Sequence, residues 1–218
     1  MTPWTEQREC LLTTARGLLQ DGLVEGTSGN LSVRLPDGNV LMTPTSIAYP
    51  AMTAEDLVVV SSSGEVIEGT RQPTTESALH LGCLEAHPDV SAVIHCHAKC
   101  ATMFAVTRQP IPCVIEEFDI YVGGEVPVAA YQLTGSDELA REVAGHLADR
   151  SAVLIANHGL LTIGKDLEQA ASVARLVERT AEIVWGARML GELVPLPTET
   201  LERFASVYRF LRDRGAAK

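Results

Sequence analysis

The stretch Pro73–His97, PTTESALHLGCLEAHPDVSAVIHCH, decides how this chain is read. Its first half opens like a helix, with Thr74 and Thr75 as N-cap candidates and Glu76 in the first turn. Ala78, Leu79, Leu81, Gly82, Cys83, Leu84 and Ala86 supply an apolar side, and Pro88-Asp89 breaks the helix. Ser91 to His97 then reads as a strand. Side chains alternate along a strand, so Val93, His95 and His97 share one face while Ile94 and Cys96 share the other. Two imidazoles on one strand face can reach a single metal ion at Zn–N distances of about 2.0–2.1 Å. The competing reading is two unrelated histidines near a buried strand. Side by side and desolvated, these would lose hydrogen bonds and repel when protonated, so the pair favours a metal.

Working outward, 218 residues without a linker suit one domain spanning 1–218. A net charge of −11 argues against nucleic acid or an anionic membrane as the main partner, because both need concentrated positive charge. A small anionic substrate remains open if a metal, backbone N–H groups or hydroxyls receive it. The opening MTPWTEQRE has no basic segment leading an apolar run, and no stretch has membrane-spanning length, so neither a signal peptide nor a spanning helix is expected. Cys10, Cys83, Cys96, Cys100 and Cys113 are odd in number and form no C-x-x-C pair. They read as reduced thiols of a cytoplasmic protein.

Before the central stretch, Thr5–Gln20 has helical spacing of Leu11, Leu12, Ala15, Leu18 and Leu19. Asn30–Leu35 and Val40–Thr43 read as a hairpin about Pro36-Asp37-Gly38. Two loops rich in small and hydroxyl residues flank it: Gly26-Thr27-Ser28-Gly29-Asn30 and Thr43-Pro44-Thr45-Ser46. Either could turn its N–H groups onto an anion, and either alone reads equally as an ordinary turn. Leu57–Val60 and Val66-Ile67 are short strands.

After His97, a helix is expected from Ala98 to Val106, then strands at Ile111–Ile115 and Val126–Tyr131. A Ser136-capped helix should run to about Ala148, with His146 on its solvated face. Ala152–Ala156 is a buried strand ending at Asn157-His158-Gly159. His158 is there read equally as a third ligand or a loop histidine. Helices from Lys165 or Asp166 to about Leu190 and from Thr198 to about Asp213 close the chain. Helices and strands mixed in this way, with a tight hairpin, indicate an α/β class with a mixed or antiparallel sheet.

Taken in order, GTSGNLSVR, MTPTSI, PTTESALH, IHCHA and ANHGLLTIG resemble the class II aldolase/epimerase family over essentially the whole chain, with length and pattern nearest its fuculose-phosphate branch. The resemblance implies a class II aldolase-like domain with a central antiparallel (mixed) sheet flanked by helices. It implies one Zn²⁺ per subunit, or another divalent ion, held by His95, His97 and His158 with Glu76 also close to the metal. Glu76 would be the catalytic acid/base. A substrate phosphate would lie on Ser28, Gly29, Asn30, Thr45, Ser46, Thr74 and Thr75. It further implies a homotetrameric ring with active sites at subunit interfaces.

The implied reaction is reversible cleavage of a ketose 1-phosphate, with L-fuculose 1-phosphate the first candidate, to dihydroxyacetone phosphate and L-lactaldehyde through a metal-stabilised enediolate. Neutral histidines leave the metal's charge intact, and a nearby carboxylate can move the proton. A sugar-phosphate 4-epimerase or a phospho-sugar-acid decarboxylase on the same site is the alternative. Glu76 speaks for the aldolase, since the epimerase branch resembles the pattern with Asp there. A non-catalytic interaction domain would have lost the histidines. Taken alone, Glu76 is also explained by the preference of carboxylates for a first helical turn.

The chain departs from the pattern in three places. Ser46 stands where the family's aldolases have Gly, and Thr74 and Thr75 replace two serines. The segment Ile115–Glu117 carries Glu116 and Glu117 in place of a catalytic Tyr, the next tyrosine being Tyr121.

Overall fold

Strands from both halves of the chain form one eight-stranded sheet in the order β4-β3-β2-β1-β5-β8-β7-β6. The strands are β1 (Asn30–Arg34), β2 (Val40–Met42), β3 (Val58–Val60), β4 (Val66–Glu68), β5 (Ala92–Cys96), β6 (Val128–Ala129), β7 (Ala152–Ile155) and β8 (Gly159–Gly164). Every neighbouring pair is antiparallel except β6 with β7 at one edge, so the sheet is mixed. The helices are α1 (Thr5–Gln20), α2 (Ser77–Ala86), α3 (Lys99–Thr107), α4 (Glu116–Val122), α5 (Asp137–Gly145), α6 (Leu167–Leu190) and α7 (Thr198–Gly215). This computed structural model describes residues 4–215, so both ends of the expected domain 1–218 lie outside the described residues.

Alternation divides the core in two. Leu41, Val59, Ile94, Leu154 and Leu160 face a cluster with α1, α3, α4 and α6. Val40, Met42, Val58, Val60, Val93, Val153, Leu161 and Ile163 face Leu79, Cys83 and Leu84 of α2 and Leu139 and Val143 of α5. Each fully buried aliphatic side chain contributes roughly 1.5–3 kcal/mol, so a one-residue register slip would exchange the two faces and forfeit most of both clusters.

The expected elements form, with four corrections. The strand expected at Ile111–Ile115 is absent: Ile111 makes one isolated bridge to Val126, and α4 follows instead. Pro110 and Pro112 remove ladder donors, while Glu116, Glu117 and Asp119 suit a helix N-terminus and left-handed Gly123 closes the helix. The strand expected over Val126–Tyr131 shrinks to Val128–Ala129. The helix capped by Ser136, whose side chain accepts from the Leu139 N–H, ends at Gly145 rather than near Ala148. Glu76 is the N-cap residue of α2 rather than part of its first turn, which frees its side chain to leave the helix axis.

Arg8 was not singled out by helical periodicity, yet only 2% of it is exposed. Its guanidinium donates to the carbonyls of Ala54 and Leu57 and to Glu68 Oε1, at 2.7, 3.1 and 2.8 Å. It ties α1 to the outer strands. Arg8→Leu strands those acceptors, and its expected cost is about 3 kcal/mol in urea denaturation. An unchanged midpoint would mean water replaces the guanidinium.

Candidate metal and acid–base site

Strand β5 is paired with β1 on one side and β8 on the other, and this sets the first ligand. His95 lies opposite Asn30 of β1 and Leu161 of β8. Its Nδ1–H donates to the Leu160 carbonyl at 3.1 Å, which leaves Nε2 as a free lone pair. His97 falls just beyond the end of β5, its backbone N–H donating to Leu23 O at 3.0 Å. His158 is in the tight turn joining β7 and β8, after Asn157 in a left-handed conformation with φ 54°.

Gly159 makes the approach of that turn possible. A Cβ there would lie 2.5 Å from the Cys96 carbonyl oxygen, 3.1 Å from His97 Cδ2 and 3.3 Å from His95 Cε1. The three rings are mutually edge-on, with centroids 4.5–5.2 Å apart, and one nitrogen of each lies within 4.8 Å of the others. His95 Nε2 and His97 Nε2 are 3.1 Å apart.

Glu76 completes the cluster from the start of α2. Its Oε2 is 3.4 Å from His95 Nε2, and its Oε1 is 3.7 Å from His158 Nε2. Oε1 is buried and has no hydrogen-bond partner among the described residues. A buried anionic oxygen without a donor, beside imidazole lone pairs that converge, is stabilised by a cation. The donor set therefore fits a divalent ion such as Zn²⁺.

Burial pushes the His95 and His97 pKa values down, and the neighbouring imidazoles push them further. The neutral ligand form is thereby favoured.

The expected phosphate residues lie in three adjoining loops. Pro44 bridges Pro73, the Thr45 N–H donates to Gln72 O, and the Thr74 N–H donates to Thr43 O. The loops 43–46 and 72–75 therefore run side by side. Gly29 adopts φ +76°, and a Cβ there would stand 2.8 Å from the His95 carbonyl oxygen, so this loop abuts the metal strand. Ser46, which replaces the expected Gly, keeps a positive φ of 63°. Thr45, Ser46 and Thr75 reach the surface, while Thr74 is buried and its Oγ1 accepts from the Glu76 N–H. The Ser28 hydroxyl donates to Glu25 O at 2.7 Å. The Asn30 side chain bonds elsewhere: its amide nitrogen donates to Glu76 Oε2 at 2.8 Å, and its oxygen meets His80 Nε2 at 2.5 Å.

His80 escaped the sequence reading, although it follows Glu76 by one helical turn, the spacing that puts two residues on one face. His146 does lie on a polar helix face, paired with Glu142 at 3.2 Å. Tyr121 lies on α4 and is 52% exposed. Among the described residues no helix is long and apolar enough to cross a membrane.

Residues 9–185 match the family described as Class II Aldolase and Adducin N-terminal domain, and the chain belongs to that family. With its histidine cluster intact, it is an aldolase-type lyase of that family. It is 34% identical over 208 residues to a 5-methylthioribulose-1-phosphate/5-deoxyribulose-1-phosphate aldolase of Rhodospirillum rubrum, covering 95% of this chain and 93% of that protein. It is 33% identical over 199 residues to an L-fuculose phosphate aldolase of Escherichia coli, covering 89% and 92%. The solved structure of an L-fuculose 1-phosphate aldolase superposes with a TM-score of 0.90 at 34% identity, covering 94% of this chain and 97% of that one.

Two outcomes test the geometry. Gly159→Ala should displace the His158 turn and lower bound zinc, read by atomic emission, well below one per chain with the fold retained by circular dichroism. Stoichiometric zinc in that variant would show that the turn tolerates the extra carbon. The second concerns pH. Burial holds His80 at about 3, against 6.5 for a free imidazole. Between those values the unfolded chain binds protons that the native chain refuses, so stability falls as pH falls. The urea midpoint of the metal-free protein should drop from pH 7 to pH 4, less steeply in His80→Gln. Equal slopes would mean that His80 charges inside the fold.

Proposed function

We propose that the protein is a Zn²⁺-dependent aldolase that reversibly cleaves a ketose 1-phosphate to dihydroxyacetone phosphate and a short aldehyde. The observation that carries this reading is the convergence of His95, His97 and His158 on a buried Glu76 whose Oε1 has no hydrogen-bond partner among the described residues. The relatives support it, because both are named as aldolases of phosphorylated sugars. The three histidines, with Glu76 alongside, would hold the ion. When bound, it acts as a Lewis acid on substrate oxygens, a contribution of several kcal/mol to stabilising developing negative charge. A histidine-only set also accepts Mn²⁺ or Co²⁺.

The chain's own groups do the rest. His95 is fixed in the ligand tautomer by Leu160 O. Glu76 takes a proton from the substrate carbon or hydroxyl and returns it, and its burial keeps water from competing. Ser28, Gly29, Thr45, Ser46, Thr74 and Thr75 receive the phosphate through backbone N–H groups and hydroxyls, with Asn30 contributing its backbone at the same place. Such a nest suits a chain of net charge −11. A homotetrameric ring with sites between subunits belongs to this reading. The exposed Trp185, Met189, Leu190 and Val194 at and just beyond the end of α6 are surface of the kind that subunit contacts cover.

L-Fuculose 1-phosphate, giving L-lactaldehyde, is one substrate reading. A 5-deoxypentulose 1-phosphate is the other, and a specific observation favours it: α4 begins with Glu116 and Glu117 where the family pattern carries a Tyr. Cleavage between C3 and C4 of that sugar releases acetaldehyde, which has no hydroxyl for a tyrosine to bond. The 4-epimerase and decarboxylase readings share the metal site and differ in what Glu76 does to the substrate.

The test is proton NMR of dihydroxyacetone phosphate in D₂O with the zinc-loaded protein. Stereospecific loss of a hydroxymethyl proton is expected, abolished by a chelator and lowered about 10²–10⁴-fold by Glu76→Gln. Condensation with acetaldehyde against L-lactaldehyde then separates the two sugars. No exchange with zinc bound would move the epimerase and decarboxylase forward.

A further inference from the structure

Behind Glu76 lies a row of buried polar side chains that the reading above leaves unused. Ser32 Oγ is 2.7 Å from His80 Nδ1, His80 Nε2 is 2.5 Å from Asn30 Oδ1, and Asn30 Nδ2 is 2.8 Å from Glu76 Oε2. Ser32 and His80 are fully buried, and Asn30 and Glu76 are 6% and 5% exposed. Asn30 and Ser32 lie two residues apart on β1, opposite His95 and Val93, and so face α2 together. His80 comes to them one turn below Glu76.

We propose that Ser32, His80 and Asn30 are positioning residues that hold Glu76 Oε2 fixed, so that Oε1 is the oxygen that carries the proton in turnover.

The direction of every hydrogen bond follows from one end. An ionised carboxylate has no proton to give, so Asn30 must turn its NH₂ toward Oε2. Its carbonyl oxygen then faces His80 and needs a donor there, which makes His80 the Nε2–H tautomer. Nδ1 is left as an acceptor, and the Ser32 hydroxyl supplies the proton. All three bonds point the same way, each donor aimed toward the carboxylate, and each polarises the next. With either end reversed, the row would place two acceptors or two donors face to face in a buried site.

The consequence is an inequality between the two oxygens. Oε2 is engaged by Asn30, while Oε1 has no hydrogen-bond partner among the described residues, His158 Nε2 standing 3.7 Å away. In the proton-transfer step a substrate C–H or O–H bond breaks, its proton forms a bond to Oε1, and its electron pair stays on the substrate. The return step reverses this. Throughout, Oε2 keeps its bond from Asn30, so the carboxyl plane does not rotate between the halves of the cycle. Near-attack geometry depends on that plane, and a small misplacement costs rate rather than binding.

This inference rests on Glu76 being the proton carrier, and the experiment separates the two. Nitrogen-15 NMR of the metal-free and zinc-loaded protein should report His80 as a neutral Nε2–H tautomer in both. His80→Phe should lower the D₂O exchange rate constant about 10–100-fold, with KM for dihydroxyacetone phosphate and zinc content unchanged. His80→Gln, whose amide can donate to Asn30 and accept from Ser32, should recover most of that loss. If Glu76→Gln is inactive while His80→Phe exchanges at the wild-type rate, the positioning row is wrong and the acid/base assignment stands. If Glu76→Gln keeps full exchange, the acid/base assignment itself falls. An Nδ1–H tautomer, or equal losses in His80→Phe and His80→Gln, would also overturn the row. Should His80→Phe not fold, Ser32→Ala and the tautomer measurement decide it: a shifted tautomer equilibrium with slower exchange supports the row, and neither change refutes it.

Discussion

The antiparallel insertion of β5 between β1 and β8 is the constraint on which the rest depends. Pairing with β8 gives His95 the Leu160 carbonyl that fixes its tautomer. It also brings the β7–β8 turn, with His158, against the end of β5. Pairing with β1 sets Asn30 beside His95 and therefore beside Glu76. A slip of one residue in either ladder would send His95 into the opposite core. The hydrophobic alternation that blocks such a slip is also what orients the chemistry.

The electrostatic consequence is a site stable only as a set. Of the three imidazoles packed edge to edge, His95 and His97 are pushed toward the neutral form by burial and by their neighbours. A carboxylate buried among them has one oxygen satisfied by Asn30 and the other left without a donor. None of these groups would be placed so for packing, because each costs desolvation. A divalent ion resolves the conflict in a single step, since it needs neutral nitrogen donors and a nearby negative charge. The strain at Asn157, whose φ is 54°, belongs to the same arrangement. Its side chain accepts from Arg108, another left-handed residue, so two unfavourable backbones hold each other at the base of the His158 turn.

Much of this was legible in the sequence, for identifiable reasons. His95 and His97 were readable because a strand's period is two and their neighbours are apolar. The hairpin and the long helices were readable from turn residues and spacing. His158 was readable as a position but not as a partner, since nothing local says that Gly159 admits the turn to within van der Waals range of β5. The segment 111–122 misled because Ile111, Val114 and Ile115 suggest a strand, while the prolines and the acidic run decide otherwise. His80 was hidden in an otherwise apolar helix: its function is defined by Ser32 and Asn30, some fifty residues away in sequence. Arg8 was hidden the same way, since its acceptors Ala54, Leu57 and Glu68 lie 46 to 60 residues away.

On the reading proposed, the substrate falls into two halves with different sources of recognition. The phosphorylated three-carbon half meets loops 26–30, 43–46 and 72–75, which are locked to one another and to β5 by backbone hydrogen bonds and by Gly29. That half is therefore set by the same pairing that builds the metal cluster, and changing it would disturb the sheet. The aldehyde half falls, on the same reading, to the segment aligned with the family's tyrosine. The segment that departs from the family pattern, 115–117, opens a seven-residue helix, α4, whose packing is mainly against α7 and α6. Glu116 and Glu117 are exposed, so substitutions at these two positions alter surface groups, while Ile115 before them packs against the core. A fold so divided can exchange one aldehyde for another at little structural cost. Relatives at 34% and 33% identity accordingly carry the names of aldolases for different phosphorylated sugars.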